Sequence, residues 1–227
     1  MRNTMAVQAP ALKRIVLKDR VAELVRDAIL CGKLDPGDRI VEMKLAADLG
    51  VGTTAVREAL FELVSQGFVS RITNKGTFVT QLTAEDVEQI QRVRRSLEGL
   101  AVELAQARAH QSDFEDLDHA LAEMRKAAKA GDVFGFYRAD LEFHRAIWRI
   151  SGNKFLSRSL DLLVPPLFAF FIMRTQAGSE DELLVSVDRH SDITRAMRSG
   201  ENARSCMDAS LQFFLQQEQR MLFGASH

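Results

Sequence analysis

The feature that most constrains the fold is a tight glycine turn, Gly50-Val51-Gly52, which separates two short helical patterns. Apolar residues recur at positions 41, 45, 46 and 49 before the turn, and at 56, 59, 60 and 63 after it. This spacing is that of a buried helix face. We predict one helix over 40–49 and a second that ends near residue 66, with Thr53 or Thr54 as its cap.

The flanking segments extend this pair of helices into a larger module. The stretch VAELVRDAILCGKL, which starts at Val21, has helical spacing and ends in the turn Asp35-Pro36-Gly37-Asp38. Beyond the third helix, GFVSRITNKGTFVTQL predicts two strands around a turn at Asn74-Lys75-Gly76. Helix, turn, helix, glycine turn, helix and two-stranded ribbon is the order of a winged helix-turn-helix.

In such a module the front of the last helix enters the major groove of DNA. The hydroxyls of Thr53 and Thr54 and the free N–H groups beside them are suited to phosphates at the positive end of the helix. Arg57 is one turn further, where it reaches a phosphate or a base edge. Gly76 allows a tight ribbon tip that brings Asn74 and Lys75 to the minor groove or the backbone. The alternative is an ordinary capped helix with a surface arginine and an exposed hairpin.

Every segment after residue 82 is predicted to be helical, which divides the chain into three parts. These are a flexible segment over 1–13, a DNA-binding domain over 14–82 and an all-helical domain over 83–223, to which the family resemblance given below assigns effector binding and dimerisation. Capping signals open four of the helices, and Pro165-Pro166 is expected to kink or break another. The capping residues are Thr83 with Asp86, Ser112 with Glu115, Ser179 with Glu182, and Asp132 alone.

The helical part contains one arrangement of residues with metal-binding chemistry. Asp140 and His144 are four positions apart and share a helix face, where a carboxylate and an imidazole are able to bind one divalent ion. His190 lies in a separate helical pattern that points it inward, and Arg94 precedes Glu98 by four positions. The alternatives are a surface ion pair, a partly buried structural histidine and a solvated helix pair.

Charge and hydropathy favour an intracellular protein with two different halves. Residues 1–80 contain 12 Lys and Arg against 9 Asp and Glu, whereas the remainder contains 18 against 22. A mildly basic first third suggests a different partner from that of the acidic remainder. The N-terminus lacks the pattern of a signal peptide, and the most apolar stretch is short for a membrane span. We therefore expect a cytoplasmic protein with no membrane partner.

The N-terminal block resembles the DNA-binding domain of the GntR family of bacterial transcription regulators. About 55 residues carry the resemblance, through the turn at 36–38, the segments 42–51 and 56–60, and the wing between Gly67 and Gly76. Family members usually carry DNA-contacting arginines where this chain has Thr53 and Met43. The resemblance therefore implies a diverged operator or weaker binding, carried mainly by Arg57, Thr54, Lys44 and the wing.

The helical part resembles the FCD domain, the effector-binding domain of the FadR subfamily within GntR regulators. The segments RVRRSLEGLAVELA, DLEFHRAIWRISGN and DRHSDITRAMRSGE carry this resemblance. It implies an antiparallel helical bundle that dimerises, and in many members a metal held by one aspartate and three histidines beside a small carboxylate ligand. Asp140, His144 and His190 match the first three metal ligands, and Arg94 matches an arginine that faces the effector.

The fourth metal ligand of that pattern is missing from this chain. Counting without gaps places it at Gln212, and a short deletion would place it at Ser210. We therefore predict an incomplete site for one Zn or Ni ion, with Arg94, His144, His190 and Gln212 as the effector contacts. An alternative is a pocket without metal, in which Arg94, His144 and His190 bind the effector directly.

Together these features predict a homodimeric transcription regulator and not an enzyme. It would bind a double-stranded DNA operator, and a small organic acid in the helical domain would modulate that binding. One alternative is a constitutive DNA-binding protein whose helical domain only dimerises. Another is a metal-dependent hydrolase in which the Asp and His residues activate water.

Overall fold

The structure is a computed structural model that describes residues 10–174 and 179–223, with side chains described for 17–173 and 179–215. The chain divides between Gln81 and Leu82 into an N-terminal and a C-terminal unit. The predicted division falls one residue later. Of the N-terminal segment predicted over 1–13, residues 10–13 belong to the first helix, and the rest lies outside the described residues.

The N-terminal unit contains three helices and three strands in its described part. Their order and bounds are α1 (Pro10–Leu30), β1 (Arg39–Ile40), α2 (Glu42–Leu49), α3 (Thr53–Ser65), β2 (Val69–Ile72) and β3 (Gly76–Val79). The apolar stripe of α3 is buried as its spacing predicts, and α3 packs against α1, whose Val21 and Val25 are also buried. This packing fixes the exposed face of α3.

The small sheet contains one strand more than the sequence predicts. Its order is β1-β3-β2, with both neighbouring pairs antiparallel. Strand β1 consists of Arg39 and Ile40 alone, paired with Phe78 and Thr77 of β3. The prediction of a helix from Ile40 is therefore wrong by two residues, because two residues show no periodicity and their pairing with β3 is non-local.

Two of the predicted helix caps are also wrong. Gly52 is the N-cap of α3, so Thr53 and Thr54 lie inside its first turn and do not cap it. Ser112 has helical backbone angles and makes no capping hydrogen bond; instead the carboxylate of Asp113 accepts from the N–H of His110. The predicted capping boxes at Thr83 and Ser179 and the cap at Asp132 are confirmed.

The described part of the C-terminal unit contains helices only. They are α4 (Ala84–Gln106), α5 (Asp113–Ala130), α6 (Val133–Ile150), α7 (Lys154–Arg174), α8 (Glu180–Ser199) and α9 (Ala203–Phe223). Helix α6 packs against α4, α5 and α7, and α8 packs against α5 and α9. A mainly α chain with a winged helix-turn-helix and an all-helical bundle is thus confirmed.

Helix α7 continues through Pro165 and Pro166, so the prolines do not break it. Val164 and Leu167 on either side of the pair are fully buried, and this burial offsets the hydrogen bonds that the prolines cannot donate. The segment Lys154–Met173 is also the one stretch, among the residues described, that is long and apolar enough to cross a membrane. More than half of it is buried inside the structure, as in a core helix.

Candidate functional site

The seven residues predicted to bind DNA are all exposed on the N-terminal unit. They come from three places: α2, the start of α3, and the turn between β2 and β3. The residues are Lys44, Thr53, Thr54, Arg57, Asn74, Lys75 and Gly76. None of the described elements buries any of them, so each is accessible to a duplex.

The start of α3 has the properties of an anion-binding helix end. Its N-cap, Gly52, has no side chain and so makes no side-chain cap; its carbonyl oxygen accepts from the N–H of Ala55, which leaves the N–H groups of Thr53 and Thr54 to bind an anion. Thr53 and Thr54 add exposed hydroxyls to the positive end of the helix dipole. Because Thr53 and Thr54 do not cap the helix, their hydroxyls are available for phosphate.

The tip of the wing is tight because two of its residues adopt left-handed backbone angles. Asn74 has φ of 62° and Gly76 has φ of 114°, an angle that L side chains rarely adopt. The N–H of Lys75 donates to the carbonyl of Ile72 over 3.0 Å and closes the turn. Lys75 is thereby held at the exposed end of the ribbon.

Arg57 is anchored by a carboxylate that the sequence analysis did not connect with it. Its Nε donates to Oε2 of Glu42 over 2.6 Å, while its side chain remains 67% exposed. The two residues are fifteen positions apart, on α3 and α2, so no local pattern pairs them. Arg57 therefore presents an oriented cation at the surface.

The second group of predicted residues lies in the interior of the C-terminal unit. Arg94 on α4, Asp140 and His144 on α6, and His190 on α8 are each no more than 3% exposed. The alternatives of a surface ion pair and a solvated helix pair are therefore wrong. Because charged groups are seldom fully buried without a partner or a ligand, this burial singles out the cluster.

Three potential metal ligands converge within this cluster. Oδ1 of Asp140 lies 3.4 Å from Nε2 of His144 and 3.1 Å from Nε2 of His190, and the two Nε2 atoms are 3.4 Å apart. Despite these distances, Oδ1 has no hydrogen-bond partner among the described residues. A buried carboxylate oxygen without a partner, facing two ring nitrogens, is the arrangement that a divalent cation would satisfy.

The outer nitrogens of both rings favour this role. Nδ1 of His190 lies 2.7 Å from the carbonyl oxygen of Ser186, which only accepts, so Nδ1 is the nitrogen that carries hydrogen. Nδ1 of His144 lies 3.0 Å from Oε1 of Glu98, although not in hydrogen-bond alignment. The Ser186 contact leaves the Nε2 lone pair of His190 to face Asp140, as outer partners do for metal-binding histidines, whereas Nε2 of His144 also lies within hydrogen-bond distance of the Arg94 guanidinium.

The electrostatics of the cluster keep Asp140 ionised. Burial alone would raise the pKa of Asp140, but His190, His144 and Arg94 lower it below its ordinary value. Burial would likewise lower the pKa of His190, and the neighbouring Asp140 carboxylate raises it above its ordinary value instead. A proton and a metal ion would therefore compete for Nε2 of His190.

Arg94 lies beside this cluster and has one donor group free. Its NH2 lies 3.3 Å from Nε2 of His144 and its Nε lies 3.4 Å from Oε1 of Glu98. Its NH1 is buried and has no hydrogen-bond partner in the part of the chain that is described. The guanidinium also lies 4.9 Å from the ring centre of Phe168 and 5.4 Å from that of Phe214. This surrounding fits the carboxylate of a small organic acid.

Sequence reasoning paired Glu98 with Arg94 but did not assign it to the site, and it missed Trp148. Glu98 is fully buried, and its Oε2 accepts from Nε1 of Trp148 over 2.8 Å. Burial would raise the pKa of Glu98, but His144, Arg94 and the indole lower it. A usable signal existed for Trp148, which continues the four-residue spacing of Asp140 and His144 on α6.

Gln212, predicted to contact the effector, is exposed on α9, whereas the cluster around Arg94 is buried. Phe214 of α9 contacts Arg94, and Ser210, four positions earlier, is buried. Residues four apart share a helix face, whereas a position midway between them lies on the opposite side. Neither Ser210 nor Phe214 is a histidine, so the described residues supply three ligands for a metal.

A groove of about 590 Å³ lies between α5 and α6, away from this cluster. It is lined on α6 by Gly135, Ala139 and Ala146, whereas Asp140 and His144 belong to the other face of that helix. The groove is therefore not the site that the buried histidines and Arg94 form.

An exposed winged helix-turn-helix followed by a helical ligand-binding unit defines a transcription regulator with two functional domains. Residues 17–79 match the gntR family of bacterial regulatory proteins, and residues 89–213 match the FCD domain. The chain therefore belongs to the GntR family and carries an FCD effector-binding domain, which confirms both resemblances.

Individual relatives agree with this assignment. A probable D-xylose utilization operon transcriptional repressor from Paenarthrobacter nicotinovorans is 31% identical over 195 residues, which cover 84% of each chain. The solved structure of Escherichia coli McbR/YncC has a TM-score of 0.67 at 24% identity and covers 88% of this chain and 98% of its own, which shows the shared fold. A putative GntR regulator from Rhodococcus sp. RHA1 has a TM-score of 0.63 at 25% identity, with 92% and 99% covered.

Proposed function

We propose that this protein is a cytoplasmic, homodimeric transcription regulator whose operator binding is modulated by a small carboxylate-bearing metabolite next to a divalent metal. One observation carries the ligand-binding part: buried Asp140, His144 and His190 converge beside Arg94, whose NH1 has no partner in the described residues. An ordinary hydrophobic core does not contain such a set, because unsatisfied buried polar groups are costly.

The DNA-binding part is supported by the exposed residues of the N-terminal unit. Thr53, Thr54 and Arg57 share one end of α3, and the tip of the wing contributes Asn74 and Lys75. Hydroxyls and helix N–H groups bind phosphates, and an oriented arginine reads a base edge or a phosphate. These are the groups with which the protein would recognise an operator half-site.

Asp140, His144 and His190 would hold the metal. Two imidazoles and one carboxylate suit Zn or Ni, and three protein ligands leave a coordination position for water or an effector oxygen. When bound, the metal would supply a Lewis-acid centre that attracts such an oxygen. Ser186 and Glu98 would keep the rings oriented through their Nδ1 atoms.

Arg94 would select for a carboxylate. Its free NH1 is able to donate to one carboxylate oxygen, while Glu98 and the rings of Phe168 and Phe214 hold the guanidinium in place. A buried guanidinium interacts with an anion much more strongly than one in water does. Specificity for acids over neutral metabolites would follow from this single group.

Assembly as a dimer is supported by apolar residues left exposed on two helices of the C-terminal unit. Val93 and Leu100 are seven residues apart on α4, and Phe155 and Leu162 are seven residues apart on α7. Seven residues correspond to two helical turns, so each pair forms a stripe that a second copy would cover. A dimer presents two copies of α3, which would match the half-sites of a palindromic operator.

Metal content tests the metal-binding part of the proposal. We expect purified full-length protein, after incubation with Zn²⁺ and desalting, to retain about one ion per chain by plasma mass spectrometry. The matched control is His144→Ala plus His190→Ala, which should retain none. A wild-type protein that retains no ion would contradict the metal part of the proposal.

The constitutive alternative is favoured by one observation, the near-complete burial of the cluster beneath Phe168 and Phe214. If the helical unit only dimerises, no carboxylic acid will change the affinity for DNA. Titration of the protein–DNA complex with sugar acids, hydroxy acids, amino acids and fatty acids separates the two functions. Any acid that shifts the dissociation constant supports the ligand-responsive regulator.

A further inference from the structure

One carboxylate in the N-terminal unit binds two arginines from two different elements. Oε2 of Glu42 accepts from Nε of Arg57 over 2.6 Å, and Oε1 accepts from NH2 of Arg71 over 3.1 Å. Glu42 opens α2, Arg57 lies on α3 and Arg71 lies on β2 of the wing. The three side chains therefore connect the recognition helix to the wing at the surface predicted to meet DNA.

Glu42 is more deeply buried than the two arginines that it binds. The side chain of Glu42 is 21% exposed, whereas those of Arg57 and Arg71 are 67% and 58% exposed. The carboxylate thus lies below the two guanidinium groups and does not compete with them for the surface. Each hydrogen bond to Glu42 uses one of the five N–H groups of its arginine, so most donors stay available to a ligand.

An acidic residue beneath a DNA-binding surface weakens DNA binding unless a second effect compensates for its charge. Its charge repels phosphates, which weakens binding through long-range electrostatics. It also fixes the orientation of two long side chains, whose lost rotamer freedom otherwise opposes binding. Because the family's usual arginines are replaced here by Thr53 and Met43, ordering of the remaining cations gains importance.

We propose that Glu42 is a positioning residue that holds Arg57 and Arg71 as one two-arginine unit, and that Arg71 is a second DNA-contacting residue. This inference rests on the proposed binding of DNA by the front of α3. Arg57 then reads the major groove, and Arg71 binds the adjacent backbone from strand β2 of the wing, one residue pair before its turn. A merely structural Glu42 would instead stabilise the positive end of α2 and leave DNA recognition unchanged.

The sign of the effect of Glu42→Gln separates these roles. The probes are a duplex selected from a random-sequence library by the wild-type full-length protein (the selected duplex) and a random-sequence duplex of equal length. We expect Glu42→Gln to weaken binding to the selected duplex roughly five- to tenfold and to leave the random duplex unchanged or tighter. Tighter or unchanged binding of the selected duplex would overturn the proposal.

A shorter acid separates charge from position. Glu42→Asp keeps the negative charge but lacks the length to reach both guanidinium groups, so it should weaken the selected duplex as Glu42→Gln does. In a background of Arg57→Ala plus Arg71→Ala, Glu42→Gln should no longer weaken binding, since only charge repulsion remains. Thermal unfolding of each variant, followed by circular dichroism, identifies any loss that comes from α2 itself.

The role of Arg71 is tested by the salt dependence of binding. Arg71→Ala should lower the slope of log affinity against log salt by about one, as expected for one lost phosphate contact. The matched control, Arg20→Ala, removes the same charge from an exposed pair with Glu23 on α1 and should leave the slope unchanged. Equal slopes for Arg71→Ala and wild type would overturn the assignment.

Failure of this inference and failure of the proposed function give different results. If the wild-type protein selects no duplex, or if Arg57→Ala leaves the selected duplex bound as tightly as before, DNA binding by α3 is wrong. If Arg57→Ala abolishes selective binding while the Glu42 and Arg71 variants behave like wild type, only the two-arginine unit is wrong.

Discussion

The two units of this protein use the same chemical pair in opposite surroundings. In the N-terminal unit Arg57 pairs with Glu42 at the surface, and in the C-terminal unit Arg94 pairs with Glu98 in the interior. The first arginine is 67% exposed at its side chain and the second 2%. An exposed, oriented guanidinium suits a large polyanion such as DNA, whereas a sealed one suits a small anion that enters the bundle.

The difference teaches that burial, more than residue identity, decides what an Arg–Glu pair does. An exposed pair contributes about 0–1 kcal/mol to stability, because water solvates both partners when they separate. Removal of one partner from a buried pair typically costs about 3–5 kcal/mol, because an uncompensated charge stays in the interior. The inner pair should therefore contribute much more to the stability of the fold than the outer pair, whose role is recognition.

The largest expected effect is on stability. Glu98→Ala should destabilise the C-terminal unit by about 3–5 kcal/mol, since it leaves Arg94 without its carboxylate and Trp148 without its acceptor. Urea unfolding measures this loss. The matched control on the same helix, Glu88→Ala, removes an exposed partner of Arg92 and should change stability by less than about 1 kcal/mol. Equal losses of stability in Glu98→Ala and Glu88→Ala would contradict the claim that burial decides what an Arg–Glu pair contributes.

The second-largest expected effect is on the affinity for DNA. Arg57→Ala should weaken binding to the selected duplex by about 1–3 kcal/mol, because the guanidinium that reads the groove is lost. Its unfolding free energy should stay within about 1 kcal/mol of wild type, as for other exposed pairs. Fluorescence anisotropy and urea unfolding report the two quantities. A variant that unfolds more readily but binds the selected duplex as before would show that Arg57 stabilises the fold, as Arg94 does, and does not recognise DNA.

The third prediction separates sensing from DNA binding. The combined change His144→Ala plus His190→Ala should abolish the response of DNA binding to any organic acid, because two of three metal ligands are gone. Affinity for the selected duplex without ligand should stay close to wild type, since neither histidine belongs to the N-terminal unit. A retained response in the folded variant would move the effector site elsewhere.

The smallest expected effect is a gain of affinity. Thr53→Arg restores the cation that family members usually carry and should tighten binding to the selected duplex about threefold to tenfold, with a steeper salt dependence. Thr53→Gln adds similar bulk without charge and serves as the control. Loss of affinity in Thr53→Arg alone would mean that this part of α3 approaches DNA too closely for a long side chain.

Much of the fold could be predicted because the signals that fix it are local. The apolar spacing of α3 and the capping boxes at Thr83 and Ser179 lie within a few residues of the structure they form. Strand β1 could not be predicted, because its two residues gain their structure from β3, almost forty positions away. The caps of α3 and α5 were wrong because Thr53 and Ser112 already have helical backbone geometry.

The site could likewise be predicted only where local spacing determines it. Spacing placed Asp140 and His144 on one face, but an Arg–Glu pair four residues apart looks identical whether it faces water or the core. The burial of Arg94 and Glu98 is decided by the packing of α4 against α6 and α9, which no single helix encodes. The exposure of Gln212 could not be predicted, because a count along the chain does not define which face of α9 points inward.

The most direct test is the affinity of full-length protein for the selected duplex, measured across a panel of organic acids in wild type and in Arg94→Gln. We predict that at least one acid shifts the wild-type dissociation constant about 5- to 150-fold, and that the shift disappears in folded Arg94→Gln. An affinity that no acid changes, or a shift that survives the loss of Arg94, would contradict the central claim. That claim is that an acid bound by buried Arg94 changes the affinity of the surface around Arg57 for DNA.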